Sequence, residues 1–178
     1  METSTASTSA TVTSVGLRYG VLTGLVIIIY SFILFATGQE MNQALGWVSI
    51  AVLPIVGIVL AHKAFKQANA GFMSYGQGLG IGVFLSLVSG VLTTVFSYIY
   101  RTFIDPDLAS RMMDKMRAKL EAVGSMSDAQ IDQALSMSTK FSTGPIGFAV
   151  GILSAVLLGL IFSLVIAAIT KNSKPEFE

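Results

Sequence analysis

Four long apolar runs divide the chain: Val15–Thr37, Ala44–Ala61, Leu79–Tyr100 and Ile146–Ile169. A bilayer core about 30 Å thick takes roughly 20 apolar residues in helical form, with about 17–25 workable, and each run fits. Strands of a membrane barrel are shorter and alternate apolar with polar residues, which these runs do not. The pattern predicts an all-α fold, an integral membrane four-helix bundle. Among Asp, Glu, Lys, Arg and His, only Arg18 falls inside the runs. It lies near an end, where its stem reaches back to the headgroups.

The polar stretches between the runs set the organisation. Residues 1–14, rich in Ser and Thr, read as a disordered tail. They lack the basic start of a secretory signal, so the first span is expected to act as an uncleaved insertion signal. The membrane domain covers residues 15–170, and residues 171–178 form a polar tail. A short first loop makes spans one and two an antiparallel hairpin.

Between spans three and four, residues 105–141 read as an extramembrane insert of two amphipathic helices. Asp105 is the expected N-cap with Pro106 at the first helical position, and Asp107 and Arg111 form an i,i+4 pair. Leu108, Met112, Met113, Met116 and Leu120 share one face of that helix, and Gly124 ends it. The second helix starts at the capping box Ser127–Gln130 and runs to about Lys140. The methionine-rich face is a candidate partner surface, since methionine adapts to varied contacts. The alternative is that the two helices pack on each other and on the span ends.

Small residues recur every four positions. Span three carries Gly78, Gly82, Ser86 and Gly90; span four carries Gly147, Gly151, Ala155, Gly159 and Ser163; span one carries Gly16, Gly20 and Gly24. That spacing keeps small residues on one face, where a second backbone can approach closely. The seams suit packing within one bundle, a homo-oligomer or another membrane protein, and the sequence leaves these open. Pro54 predicts a kink near Ile50 in span two. Trp47, Tyr75, Tyr98 and Tyr100 sit at span ends and read as interfacial anchors.

Composition narrows the chemistry. The chain is 53% hydrophobic and 12% charged, with no cysteine, against about 25% charged in soluble domains. A water-soluble domain, a disordered chain and a disulfide-stapled module are thereby disfavoured. Eleven Lys+Arg against ten Asp+Glu give a net charge of +1, which does not mark a nucleic-acid binder. In the run GQGLGIG, Gly76, Gly78, Gly80 and Gly82 are spaced by two, so the dinucleotide fingerprint fails in every register.

A thiol nucleophile is absent, and His62 is the one histidine, which reads as structural or solvated. Glu40 is expected to cap or solvate the first loop. We therefore expect no catalytic, cofactor-binding or metal-ligating residues, no cofactor, and no nucleotide or nucleic-acid partner. The expected partners are the bilayer and either a second copy or another membrane protein. The functional expectation is a non-enzymatic accessory, scaffold or assembly component. The alternative is a small channel or carrier using the Pro54 bend and the hydroxyls Thr23, Ser86, Ser89, Thr93, Thr94 and Ser97. Lys63 and Lys66 opposite a Lys-free first loop favour cytoplasmic termini.

The stretch GFMSYGQGLGIGV (Gly71–Val83), then TFIDP (Thr102–Pro106), MSDAQIDQAL and a closing PEFE together resemble a bacterial, mostly Bacteroidetes, membrane-protein family catalogued as domain of unknown function 4199. The resemblance implies four transmembrane helices, a helical insert after the third, and residence in the inner membrane. It brings no activity, cofactor or site residue.

Overall fold

The computed structural model describes residues 10–174. Four helices are long and apolar enough to cross a membrane: α1 (Val12–Ala36), α2 (Gln43–Ala68), α3 (Tyr75–Ile104) and α6 (Gly144–Thr170). The two insert helices are α4 (Leu108–Val123) and α5 (Asp128–Ser142). Large apolar side chains such as Leu22, Ile29, Leu153 and Ile161 point outward, the pattern of a bundle solvated by lipid rather than water.

The expected tail of residues 1–14 is corrected at its end, and residues 1–9 of it lie outside the described residues. Val12, Thr13 and Ser14 are helical because Thr11 caps α1: its hydroxyl accepts from the Ser14 N–H while Ser14 Oγ accepts from the Thr11 N–H. At Pro54, where a kink is expected, the structure has a wide turn within one continuous span. The turn Val48–Val52 is a π-helix in which the Leu53 N–H reaches back to the Val48 carbonyl. A π turn widens the helix just before the residue that lacks an N–H, so Pro54 fits without a break. A second π turn, Tyr100–Ile104, ends α3.

Helix α3 is the central element and packs chiefly on α1 and α6. The glycines of α1 seat on it in register: a Cβ at Gly16 would lie 2.9 Å from Phe84 Cβ, one at Gly20 2.7 Å from Val88 Cβ, and one at Gly24 3.0 Å from Leu92 Cδ1. On the opposite side, Gly78 meets Ala167, Gly82 meets Ser163, Gly159 meets Ser86, Gly90 meets Ala155, and Gly151 meets Thr94. These five rungs form one antiparallel ladder, each step four residues up α3 and four down α6. Gly147 is outside the ladder and lies against the backbone of Ser142. The seams are thus occupied within the chain, because each small face finds its complement on a neighbouring helix.

The two ends of the bundle differ. At the end with the termini, Ile58, Ala61, Phe65, Met73, Ile81 and Leu85 form a buried core. His62 is fully buried among them. Its Nε2 lies 2.8 Å from the Gly78 carbonyl and its Nδ1 2.8 Å from Thr170 Oγ1. A carbonyl only accepts, so Nε2 donates to Gly78; with the contact to Thr170, whose hydroxyl also donates to the Ile166 carbonyl at 2.8 Å, the ring ties α2, α3 and α6 together. Lys66 Nζ donates to the Thr170 carbonyl at 3.0 Å, and Met73 pairs with Asn172 across an isolated β-bridge. The opposite end carries the insert, with a large pocket beneath it.

Candidate functional site

The site lies beneath the insert. Helices α4 and α5 pack on each other, and Leu108 of α4 and Ile131 and Leu135 of α5 are buried. Gly124, at φ +66°, turns the chain between them, and the Ser127–Gln130 capping box starts α5. The start of α4 differs from expectation. The helix begins at Leu108 with Asp107 preceding it, because Asp105 is engaged elsewhere. Its carboxylate accepts two bonds from the Arg111 guanidinium, at 3.1 and 2.6 Å, replacing the expected Asp107–Arg111 pair. That contact, led by the hydrogen bond itself, holds Asp105 below the ordinary carboxylate range and Arg111 above its ordinary value. Arg117 bridges α4 to Asp132 of α5.

The insert is fastened to the first hairpin by Glu40, which neither caps nor solvates the loop. Its side chain is 2% exposed and receives Lys115 Nζ at 2.7 Å. Lys115 also donates to the Gly38 carbonyl at 3.3 Å, and Lys119 to the Met41 carbonyl at 3.2 Å. Burial raises the Glu40 pKa, but the Lys115 hydrogen bond, a bond to the carboxylate from its own backbone N–H and the nearby cations outweigh it, leaving it below its ordinary 4.5.

Held this way, the insert roofs a chamber of about 790 Å³ against the ends of α3 and α6. Met112, Met113 and Met116 line it from above, and Tyr98, Arg101 and Phe148 from the bundle. Tyr98 and Phe148 pack with ring centroids 5.2 Å apart. Of the candidate partner surface, Leu108 is fully buried, Met112, Met113 and Leu120 are half-buried, and only Met116 is exposed. The methionine face therefore looks inward onto the chamber rather than out to solvent.

A smaller cavity of about 250 Å³ lies deeper, lined by Ser49, Pro54, Ser86, Ser89 and Thr93. Thr93 also lines the larger chamber, so the two spaces adjoin. Ser86 Oγ is buried and without a hydrogen-bond partner among the described residues, as is Ser163 Oγ in the same ladder. Thr93 Oγ1 donates back to the Ser89 carbonyl at 2.9 Å, the usual recourse of a hydroxyl in an apolar helix. Thr23 is remote from both spaces, packed on Gly57 between α1 and α2.

Several residues take roles that sequence reasoning missed. Arg101, at the end of the third apolar run, lines the chamber although no motif in the sequence singles it out. The π turn that carries it leaves no periodicity signal. Tyr100, expected as an interfacial anchor, is buried in an aromatic cluster with Phe32, Phe35 and Phe96. Trp47 is 59% exposed, in keeping with an anchor. No group of three or more His, Cys, Asp or Glu converges among the described residues. A family model described as a protein of unknown function (DUF4199) matches residues 18–172. No curated protein and no solved structure gives a significant match.

Proposed function

We propose that this chain, which belongs to the family of proteins of unknown function DUF4199, is a non-enzymatic accessory protein of a bacterial inner membrane that acts through the chamber under its insert. The observation that carries the reading is the roofed space of about 790 Å³ lined by Met112, Met113 and Met116. Its volume lies in the range of roughly 300–1,000 Å³ typical of small-molecule sites. Methionine walls accept an apolar guest without demanding one shape. The seams that suggested a homo-oligomer are occupied inside the chain, which moves the recognition surface from the bilayer-facing helices to the insert.

The carrier reading draws on Thr93, shared by the chamber and the deeper hydroxyl-lined cavity. Against it stands the buried core around Phe65, Met73 and Ile81 at the other end. A space that stops at a packed core suits capture and presentation of a guest more than conduction. The Lys63–Lys66 contrast with the first loop supports cytoplasmic termini; a reporter after Glu178 should be active only on the cytoplasmic side.

The test is what travels with the protein. Purified in mild detergent, it should carry an amphiphile enriched over bulk lipid, and filling the chamber with Met113→Trp should remove it. Equal retention by that variant, or no enrichment in the parent, would contradict the proposal.

A further inference from the structure

Resting on the chamber reading, we infer that the guest is a single-chain amphiphile with a carboxylate head, bound through Arg101. Among the described residues, the chamber wall contains one side chain with a full charge, Arg101, and no Asp or Glu. The Arg101 Nε is closed off by protein atoms and meets no hydrogen-bond acceptor among the described residues, so the terminal nitrogens are the part of the guanidinium that a guest in the chamber reaches. No carboxylate lies within 4.0 Å of it there, whereas Arg111, Lys115 and Arg117 all hold acidic partners. A cation in an apolar wall with no acidic partner is costly, and an anion bound at its terminal nitrogens would relieve it.

The fork of a guanidinium matches the two oxygens of a carboxylate. One cation balances the single charge of that head, whereas a phosphate monoester carries nearly two negative charges and would call for a second cation. The rest of the wall fits the body of the same molecule. Hydroxyls of Thr94, Ser97 and Ser110 lie in the lining with Arg101, and Met112, Met113 and Phe148 supply apolar surface. The chamber is the size of a site for one small molecule, which favours one chain over two. The π turn Tyr100–Ile104 carries Arg101 at the end of α3, close to the depth at which an amphiphile's head resides in the bilayer.

The experiment uses the full chain in phosphatidylcholine nanodiscs, with equilibrium binding of dodecanoate and dodecanol and subtraction of protein-free discs. The parent should hold dodecanoate about tenfold or more tightly than dodecanol, as expected for a hydrogen bond to a charged group. Arg101→Gln should bring the two to parity, and Arg101→Lys should restore part of the preference. Ser110→Glu, which places an acid in the wall without touching the bundle, should lower dodecanoate binding while sparing dodecanol. If both probes bind alike and both are displaced by Met113→Trp, the carboxylate assignment falls and the chamber reading stands. If neither binds above protein-free discs, or Met113→Trp changes nothing, both fall.

Discussion

Gly82 of α3 lies directly against the side chain of Ser163 of α6, so that any Cβ added at Gly82 would overlap the serine. The same contact recurs with its partners exchanged one step along the ladder, where Ser86 occupies the space over Gly159. Lipid supplies no hydrophobic drive for helix association, so this close approach supplies much of the packing between α3 and α6. Gly82→Val should lower stability by about 1–3 kcal/mol, the usual cost of overpacking. Thermal unfolding in detergent checks this, and adding Ser163→Gly should recover part of the loss. An unchanged Tm in Gly82→Val would contradict the ladder.

Glu40 and Lys115 join the first hairpin to the insert at 2.7 Å. Lys115→Ala should loosen α4, read as faster amide exchange across Leu108–Val123 with the spans unaffected. The exchanged pair, Glu40→Lys with Lys115→Glu, should slow it again. The carboxylate's pKa lies below its ordinary 4.5, so the latch contributes fully above that value and fails as pH falls through the lower, folded-state pKa. Exchange in α4 should therefore rise on acidification below about pH 4.5, and Glu40→Gln should remove the part of that rise owed to the latch, leaving the part owed to the Asp105–Arg111 contact. Opening centred near neutral pH would contradict the assignment.

Pro54 accounts for the π turn Val48–Val52. With Pro54→Ala an ordinary α-helix becomes available, and the segment Gln43–Trp47 should rotate by about 100°, one residue's worth of helix. The chain has no cysteine, so single-cysteine variants report positions cleanly. Labelling at positions 43–47 should change its pattern in Pro54→Ala, while labelling along α3 stays the same. An unchanged pattern would show that something other than the proline holds the wide turn.

His62 bonds to two neighbouring helices from a fully buried position. His62→Ala removes the side-chain bond to the Gly78 carbonyl and opens a cavity. A loss of about 2–4 kcal/mol is expected from the two effects together, measured by unfolding in detergent. A smaller loss, below about 0.5 kcal/mol, would mean that the ring is not a structural tie.

What was legible in the sequence followed from periodicity. The apolar runs give the spans, and the four-residue spacing of Gly78 through Gly90 and of Gly151 through Ser163 gives both sides of the ladder. Periodicity does not say which faces meet, so packing within one chain and packing between chains were indistinguishable until the rungs were paired. The insert helices were visible from their caps and methionines, but the inward direction of Met112 and Met113 was not. That direction depends on Lys115 reaching Glu40, a contact between residues 75 positions apart. Arg101 was hidden for a related reason: the chamber around it is built from α3, α4, α5 and α6 together.

The most direct test of the account is to let the chamber identify its own lining. The full chain in nanodiscs is exposed to a single-chain amphiphile carrying a photoreactive group on its acyl chain, and the adducts are mapped by mass spectrometry. The account predicts adducts concentrated at Tyr98, Met112, Met113 and Phe148, and lost in Met113→Trp. Adducts spread instead over the outward belt of Leu22, Ile29, Leu153 and Ile161, unchanged in that variant, would contradict it.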